Sequence, residues 1–460
     1  MTAPDLPSFV DHNDVMAASR HLLDLECRAL WQRWRPYARE HGAAPLSDLV
    51  DALLGERRWP DSARVRHFCH VTKAILRSYH QGSDPPPAYV SHFQLDSLAP
   101  GRLIELHTWR LLAALVSGRT DSDPDLSVEL PGEPALPVSI DLGKAGMLEP
   151  APEDAATPLR FEIAKGRIHL APVGAHDLTE HEPVPGLRLV RPTRWRHSAP
   201  LFLTHRSGAS FLAPVHDRGL REPYSATAPV VWHAPAVSRW LLTLSQALDR
   251  CAELDEAFLH ECAAVTPEIL PLYHGIGQQY GSASNVDVHG YTYLPGIERP
   301  LDVAECFVHE AMHQKLFRIE SLVPLFEPDS PVAEAYYSPW RADPRPLRMV
   351  LHGCFVFAYV AWMWRRWSED PPPEAPGRAR SAELAFRRAC EVLSGIDLLE
   401  RYAKPTGHGR ALLDEIKTCT IAQKDAVAIS PEWRRQVNED LAAHRQRHVK
   451  TSLCSDPITF

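Results

Sequence analysis

The chain has 460 residues, 45% of them hydrophobic and 23% charged, and a formal net charge of −9. That length calls for two or three packed units rather than one core, and the composition is that of a folded protein. The acidic balance excludes general nucleic-acid binding, which relies on a basic field.

Nine cysteines show no C-x2-C spacing. Neither a zinc ribbon nor a disulfide framework is expected, and they read as small buried hydrophobes in a reducing compartment. Met1-Thr2-Ala3-Pro4-Asp5 carries no basic or apolar signal region, so a cytoplasmic protein is the expectation.

Residues 13–118 read mainly as helical. Asn13 can cap a helix carrying Leu22, Leu25, Leu30 and Trp31, and Pro60-Asp61 opens another through Val65, Phe68, Val71 and Ile75. Pro85-Pro86-Pro87 sets off a third stretch through Leu103, Leu106, Trp109, Leu112 and Leu115. From about Asp121 to Pro235 the pattern changes. Pro, Gly and Asp punctuate short alternating runs at 159–163, 167–170 and 186–190, which predicts strands and loops.

Helical periodicity returns over 237–265 and again after Pro300. Between them, 280–294 is rich in Ser, Val, Thr and Tyr and reads as a strand or hairpin. Further helices are predicted at about 347–367, 379–402, 407–425 and 431–449, with Asp370-Pro371-Pro372-Pro373 and Ser430-Pro431-Glu432 as boundaries. The apolar run 349–364 is shorter than a bilayer span and contains His352, so it reads as a core helix and no membrane association is expected.

His309-Glu310-Ala311-Met312-His313 is the pattern with chemistry in it. In a chain with 24 His the pentapeptide alone is suggestive, and its context carries the case. Asp302 and Glu305 make a capping-box-like start after Pro300. Leu301, Ala304, Val308, Ala311, Met312 and Leu316 then hold an apolar face as far as Pro324. On that helix His309 and His313 lie one turn apart on the same side, where two imidazoles can grip one cation.

Two histidines do not hold a catalytic metal alone, so a third ligand is required. Glu320 lies about two turns, roughly 10 Å, beyond His313 on the same helix, which is too far while the helix stays straight. Glu334 has the spacing of the glutamate-ligand zinc peptidases. His352 stands alone in 349–364, which has no Asp, Glu, Lys, Arg or second His, and burying it without a partner costs a few kcal/mol. Gly353 beside it permits close approach of another element. On residues alone Glu334 and His352 stand about even. Just ahead, Arg341, Arg345 and Arg348 crowd a proline-stiffened loop, and arginine grips carboxylates through a planar fork.

Four blocks in order, Phe307-Val308-His309-Glu310-Ala311-Met312-His313-Gln314-Lys315-Leu316, Tyr337-Ser338-Pro339-Trp340-Arg341, Pro344-Arg345-Pro346 and Val350-Leu351-His352-Gly353, resemble the 2-oxoglutarate-dependent HExxH-type peptide β-hydroxylases of peptide-modifying gene clusters. The resemblance covers roughly residues 280–367. It implies a non-haem Fe(II) site with 2-oxoglutarate and O2 as cosubstrates, and a ribosomally made precursor peptide as the partner hydroxylated. It further implies His309, His313 and His352 as metal ligands and Arg341 or Arg345 as the grip on 2-oxoglutarate. Three imidazoles would leave half of an octahedral iron open to cosubstrates. Glu310 is then expected to orient a ligand or substrate.

The expected fold is α+β and predominantly helical. It has a helical N-terminal part (1–120), a strand-rich middle (121–235) and a helical, zincin-like C-terminal part (236–460) carrying the motif. A zinc peptidase using His309, His313 and Glu334, with Glu310 as general base, is the alternative. A non-catalytic peptide-binding protein is the third reading.

Overall fold

The computed structural model describes residues 12–81 with short gaps, scattered positions in 104–115, the backbone of strands between 126 and 203, and, again with short gaps, 234–272 and 282–452. These residues are predominantly helical. The N-terminal helices are α1 (His12–Glu40), α2 (Ala44–Leu54) and α3 (Ala63–His80). Ile104, His107, Thr108, Leu111 and Leu115 are also helical.

The expected strand-rich middle falls mostly outside the described residues. Within it lie β1 (Leu126–Glu129), β2 (Ile140–Asp141), β3 (Met147–Pro150), β4 (Arg160–Ala164), β5 (Arg167–Ala171), β6 (Gly174–Asp177), β7 (Leu187–Val190), β8 (Thr193–Arg194) and β9 (Phe202–Leu203). The first seven of these strands form two small sheets, ordered β1-β4-β5-β6 and β2-β3-β7.

The remainder of the chain builds the part that positions the motif. Its helices α4 (Ala234–Leu254) and α5 (Glu256–Val265) are separated at Asp255, whose side chain accepts from Phe258 N and caps α5. Next come β10 (Glu268–Leu272), β11 (Ala283–Ser284) and β12 (Tyr291–Pro295), and then the motif helix α6 (Pro300–Leu322). The short strands β13 (Ala335–Tyr336) and β14 (Arg345–Pro346) pair antiparallel ahead of α7 (Leu347–Glu369). Helices α8 (Arg378–Tyr402), α9 (Gly407–Ala426) and α10 (Pro431–Ser452) follow.

A sheet ordered β11-β12-β10-β9-β8 lies beside α6, with β11 at its edge. β11 and β12 pair antiparallel, Ala283 opposite Tyr293 and Ser284 opposite Thr292, while β10 runs parallel to β12. Gly290 leads into β12 with φ 106°, a backbone region that suits glycine.

The capping-box expectation does not hold. α6 begins at Pro300 itself, after Arg299, and no side chain caps it. Proline at the first helical position lacks only an N–H that would go unpaired there anyway. Asp302 is therefore inside the first turn and pairs with Arg299. Glu305 accepts instead from Trp364 Nε1 at 2.7 Å and Arg388 at 3.2 Å.

The expected apolar face of α6 is buried, as are Val303 and Phe307 on other sides. α7 packs against α6, α8 and α9. Its most apolar 18-residue window is 83% buried, so a helix apolar and long enough to cross a membrane is here filled in by protein. Val15 and Met16 of α1 join the same core, and Arg318 of α6 donates to Ser19 Oγ at 3.1 Å.

Charged side chains interrupt the buried surface of α6, Lys315 among them. Lys315, 4% exposed, donates to Glu261 of α5 at 2.5 Å and to Tyr359 OH of α7 at 3.4 Å. Glu261→Gln leaves this cation without its counter-charge. A loss of about 2–3 kcal/mol is expected, under the figure for a fully buried pair because Glu261 keeps some surface. Urea unfolding would register it as a lower midpoint at unchanged slope.

Candidate metal centre

His309 and His313 project from one side of α6 with ring centroids 4.8 Å apart and Nε2 atoms 3.2 Å apart. His352, on the second turn of α7, comes to them across the α6–α7 contact. Its Nδ1 lies 3.0 Å from His313 Nδ1. Two nitrogens each about 2.1 Å from one cation lie about 3.0 Å apart when the ligands are at right angles. Both separations are therefore those of neighbouring ligands. His313, however, turns Nδ1 to His352 and Nε2 to His309. In this arrangement no group of three or more such side chains among the described residues aims at one point. A shared ion needs the His313 ring to turn so that one nitrogen serves.

The donor chemistry fits a divalent cation. Burial, with the Arg388 charge adding to it, pushes His309 down to about 3. Burial and the two neighbouring imidazoles lower His313 well below the usual histidine value. Both rings are neutral at pH 7 and can offer lone pairs.

Glu334, the competing third ligand, is exposed, and its carboxylate accepts from Tyr336 OH at 2.9 Å rather than meeting a histidine. It lies at the entry to β13, and this short hairpin turns it outward. Of the two residues left even by the sequence, the fold brings His352 into the cluster.

Glu310 is 3% exposed and accepts from Ser282 Oγ at 2.6 Å. One turn on, Gln314 Oε1 accepts from Gly290 N at 3.1 Å. The motif helix thus presents adjacent stripes. His309 and His313 face α7, while Glu310 and Gln314 tie down the β11–β12 hairpin. His289 and Tyr293 are each 7% exposed, and the His289 ring stacks on Phe317 at 6.0 Å. Phe317 in turn lies against His352 at 4.7 Å.

The arginines separate clearly. Arg348 is committed to Glu320, with Nε to Oε1 at 2.9 Å and NH2 to Oε2 at 2.6 Å. Arg341 is exposed and pairs with Asp343. Arg345 also pairs with Asp343 at 2.9 Å but is half-buried. Its Nε has no partner among the described residues, and burial followed by the Arg341 charge lowers its pKa.

The contacts that Glu320, Arg388 and Trp340 make around the histidines are not encoded in any local sequence pattern. Glu320 Oε2 lies 3.0 Å from His352 Nε2. Burial alone would raise its carboxyl, but hydrogen bonds from His352 and Arg348 outweigh that and hold it down at about 2. Arg388 of α8 lies over the Phe357 ring at 4.8 Å and donates to Glu305 and Glu391. Phe357 meets the His309 ring edge-on at 4.9 Å, which places a cation behind the histidines. Trp340 also stacks on Phe357 at 5.1 Å, its indole filling the space that Gly353 and Gly395 leave open.

No known family model and no curated protein sequence matches the chain.

Proposed function

We propose that the protein is an Fe(II)- and 2-oxoglutarate-dependent dioxygenase. It hydroxylates the β-carbon of a residue in a ribosomally synthesised precursor peptide. The observation that carries this reading is the approach of His352 to His313, which adds a third imidazole where a zinc peptidase of this motif class takes a glutamate. The arginine loop beside it supplies a cation for a dicarboxylate. Bound there, iron with 2-oxoglutarate and O2 supplies the oxidising power to functionalise an unactivated C–H bond.

The chain's own residues hold and orient. His309, His313 and His352 offer three nitrogens and leave the remaining side for cosubstrates. Arg345, with an unpartnered buried Nε, binds the distal carboxylate of 2-oxoglutarate. Glu310, fixed by Ser282, orients the peptide or a bound water at the edge of the sheet. A motif helix beneath a hairpin whose edge strand is β11 is a zincin-like arrangement, and the peptide adds to that edge as a further strand.

Arg345→Ala is expected to raise the apparent KM for 2-oxoglutarate about 10- to 100-fold, the range for losing one or two charge-assisted hydrogen bonds. Arg341→Ala should change it by no more than about threefold, as for an exposed ion pair. Steady-state kinetics with varied 2-oxoglutarate measures both.

The direct test is incubation of the protein and a candidate precursor peptide with Fe(II), 2-oxoglutarate and air, read by mass spectrometry. A gain of one oxygen atom that requires 2-oxoglutarate is expected, with partial activity retained in Glu310→Gln. Strict zinc dependence, with peptide cleavage abolished by Glu310→Gln, would establish the peptidase instead.

A further inference from the structure

We infer that Glu320, clamped by Arg348, is a positioning residue that fixes the His352 tautomer with Nε2 protonated, so that Nδ1 is the nitrogen offered to the metal. The inference rests on the reading of His309, His313 and His352 as a metal site. It adds which atom of His352 binds and what holds it there.

The geometry is specific. His352 is fully buried and sits between two partners on α6. Its Nε2 lies 3.0 Å from Glu320 Oε2, and its Nδ1 lies 3.0 Å from His313 Nδ1. Both Glu320 oxygens already accept from Arg348, so Oε2 meets His352 as an acceptor, and Nε2 carries the proton and donates it to Glu320. A neutral imidazole protonated at Nε2 has its lone pair on Nδ1, on the side of His313 and the motif. Arg348 donates to both Glu320 oxygens, which sets the carboxylate plane and keeps it from swinging toward solvent. The two-turn separation that keeps Glu320 from reaching the cation with His313 is the separation that lets it reach the far side of His352. A carboxylate behind a metal-binding imidazole orients the ring and raises its basicity, and its loss costs about 10- to 100-fold in metal affinity.

Two measurements test this. In metal-free protein with 15N-labelled histidine, long-range 1H–15N correlation reads the His352 tautomer, assigned by the signal missing in His352→Asn. Titration with Co(II) reads affinity in wild type, Glu320→Ala, Glu320→Gln and Arg348→Ala. The expected result is the Nε2–H tautomer in wild type and its loss in Glu320→Ala. Co(II) affinity should be 10- to 100-fold weaker in Glu320→Ala, with partial rescue by Glu320→Gln, whose amide oxygen still accepts. Arg348→Ala should weaken it several-fold.

An Nδ1–H tautomer in wild type overturns the inference. So does Co(II) affinity undiminished in both Glu320 variants while wild type binds tightly, which leaves the metal site standing without the clamp. A wild type that binds no Co(II), Fe(II) or Zn(II) instead sinks the metal reading, and the clamp with it.

Discussion

His352→Ala is expected to weaken divalent-metal binding by more than a hundredfold and to reduce peptide hydroxylation to background, while Glu334→Gln changes neither. Removing an outer partner of a metal-binding histidine already costs about 10- to 100-fold, so loss of a ligand must exceed that. The two histidines that remain lie on a single turn of α6 and offer only two nitrogens, too few for a catalytic site. Glu334 serves as the internal control, because its carboxylate is exposed and taken up by Tyr336. His352→Ala also leaves Glu320 without the N–H it accepts, so His352→Asn, which restores a donor, separates lost coordination from lost packing. Anaerobic titration with Fe(II) gives the affinities. Wild-type affinity in His352→Asn, or a loss in Glu334→Gln, would return the third-ligand role to the glutamate.

The second large effect reverses a general trend. In the interior of a helix, Gly→Ala normally stabilises by about 1 kcal/mol. At Gly353 it is expected to destabilise. A Cβ built there lies 2.5, 2.7 and 3.0 Å from three carbons of the Trp340 ring, and that ring also packs close against Gly395. Overpacking of this kind costs about 1–3 kcal/mol. Gly353→Val adds two more carbons and should reach about 3 kcal/mol or more. Metal affinity should fall along with stability, because the displaced indole pushes on Phe357, which supports His309. Trp340→Leu in the Gly353→Ala background should recover part of the stability. Thermal melts of the three proteins decide it, and a Gly353→Ala protein that melts higher than wild type would mean Trp340 does not occupy this slot.

What could be read in advance divides along physical lines. The helices that bury an apolar face, α6 and α7 above all, are written in spacing and in the breakers around them. The hairpin before the motif is written in its β-branched and aromatic residues. His352 could be singled out because an imidazole in an apolar run needs a partner, and Gly353 because a missing side chain makes room. The start of α6 misleads, since Asp302 and Glu305 mimic a capping box while Pro300 alone suffices. Distance along its own helix keeps Glu320 from being a ligand beside His313. Its contact with His352 depends on how α7 crosses α6, and no local pattern encodes that crossing. Arg388 was invisible for a similar reason. Arg387-Arg388 looks like a solvated face until packing carries one of the pair over Phe357.

The apolar surface of α7 has a consequence for how the chain is made. Its cover arrives from both directions along the sequence, α6 before it and α8 and α9 after it. A ribosome adding about 5–20 residues per second takes roughly 2–7 s to pass from the end of α7 to the end of α8. Once α7 has emerged from the tunnel it waits about that long for α8 to follow, and for that interval one side of a strongly apolar helix is bare. Holdase chaperones should therefore be found on nascent chains whose α7 has left the tunnel while α8 is still inside it, and released once α8 has emerged to complete the sleeve.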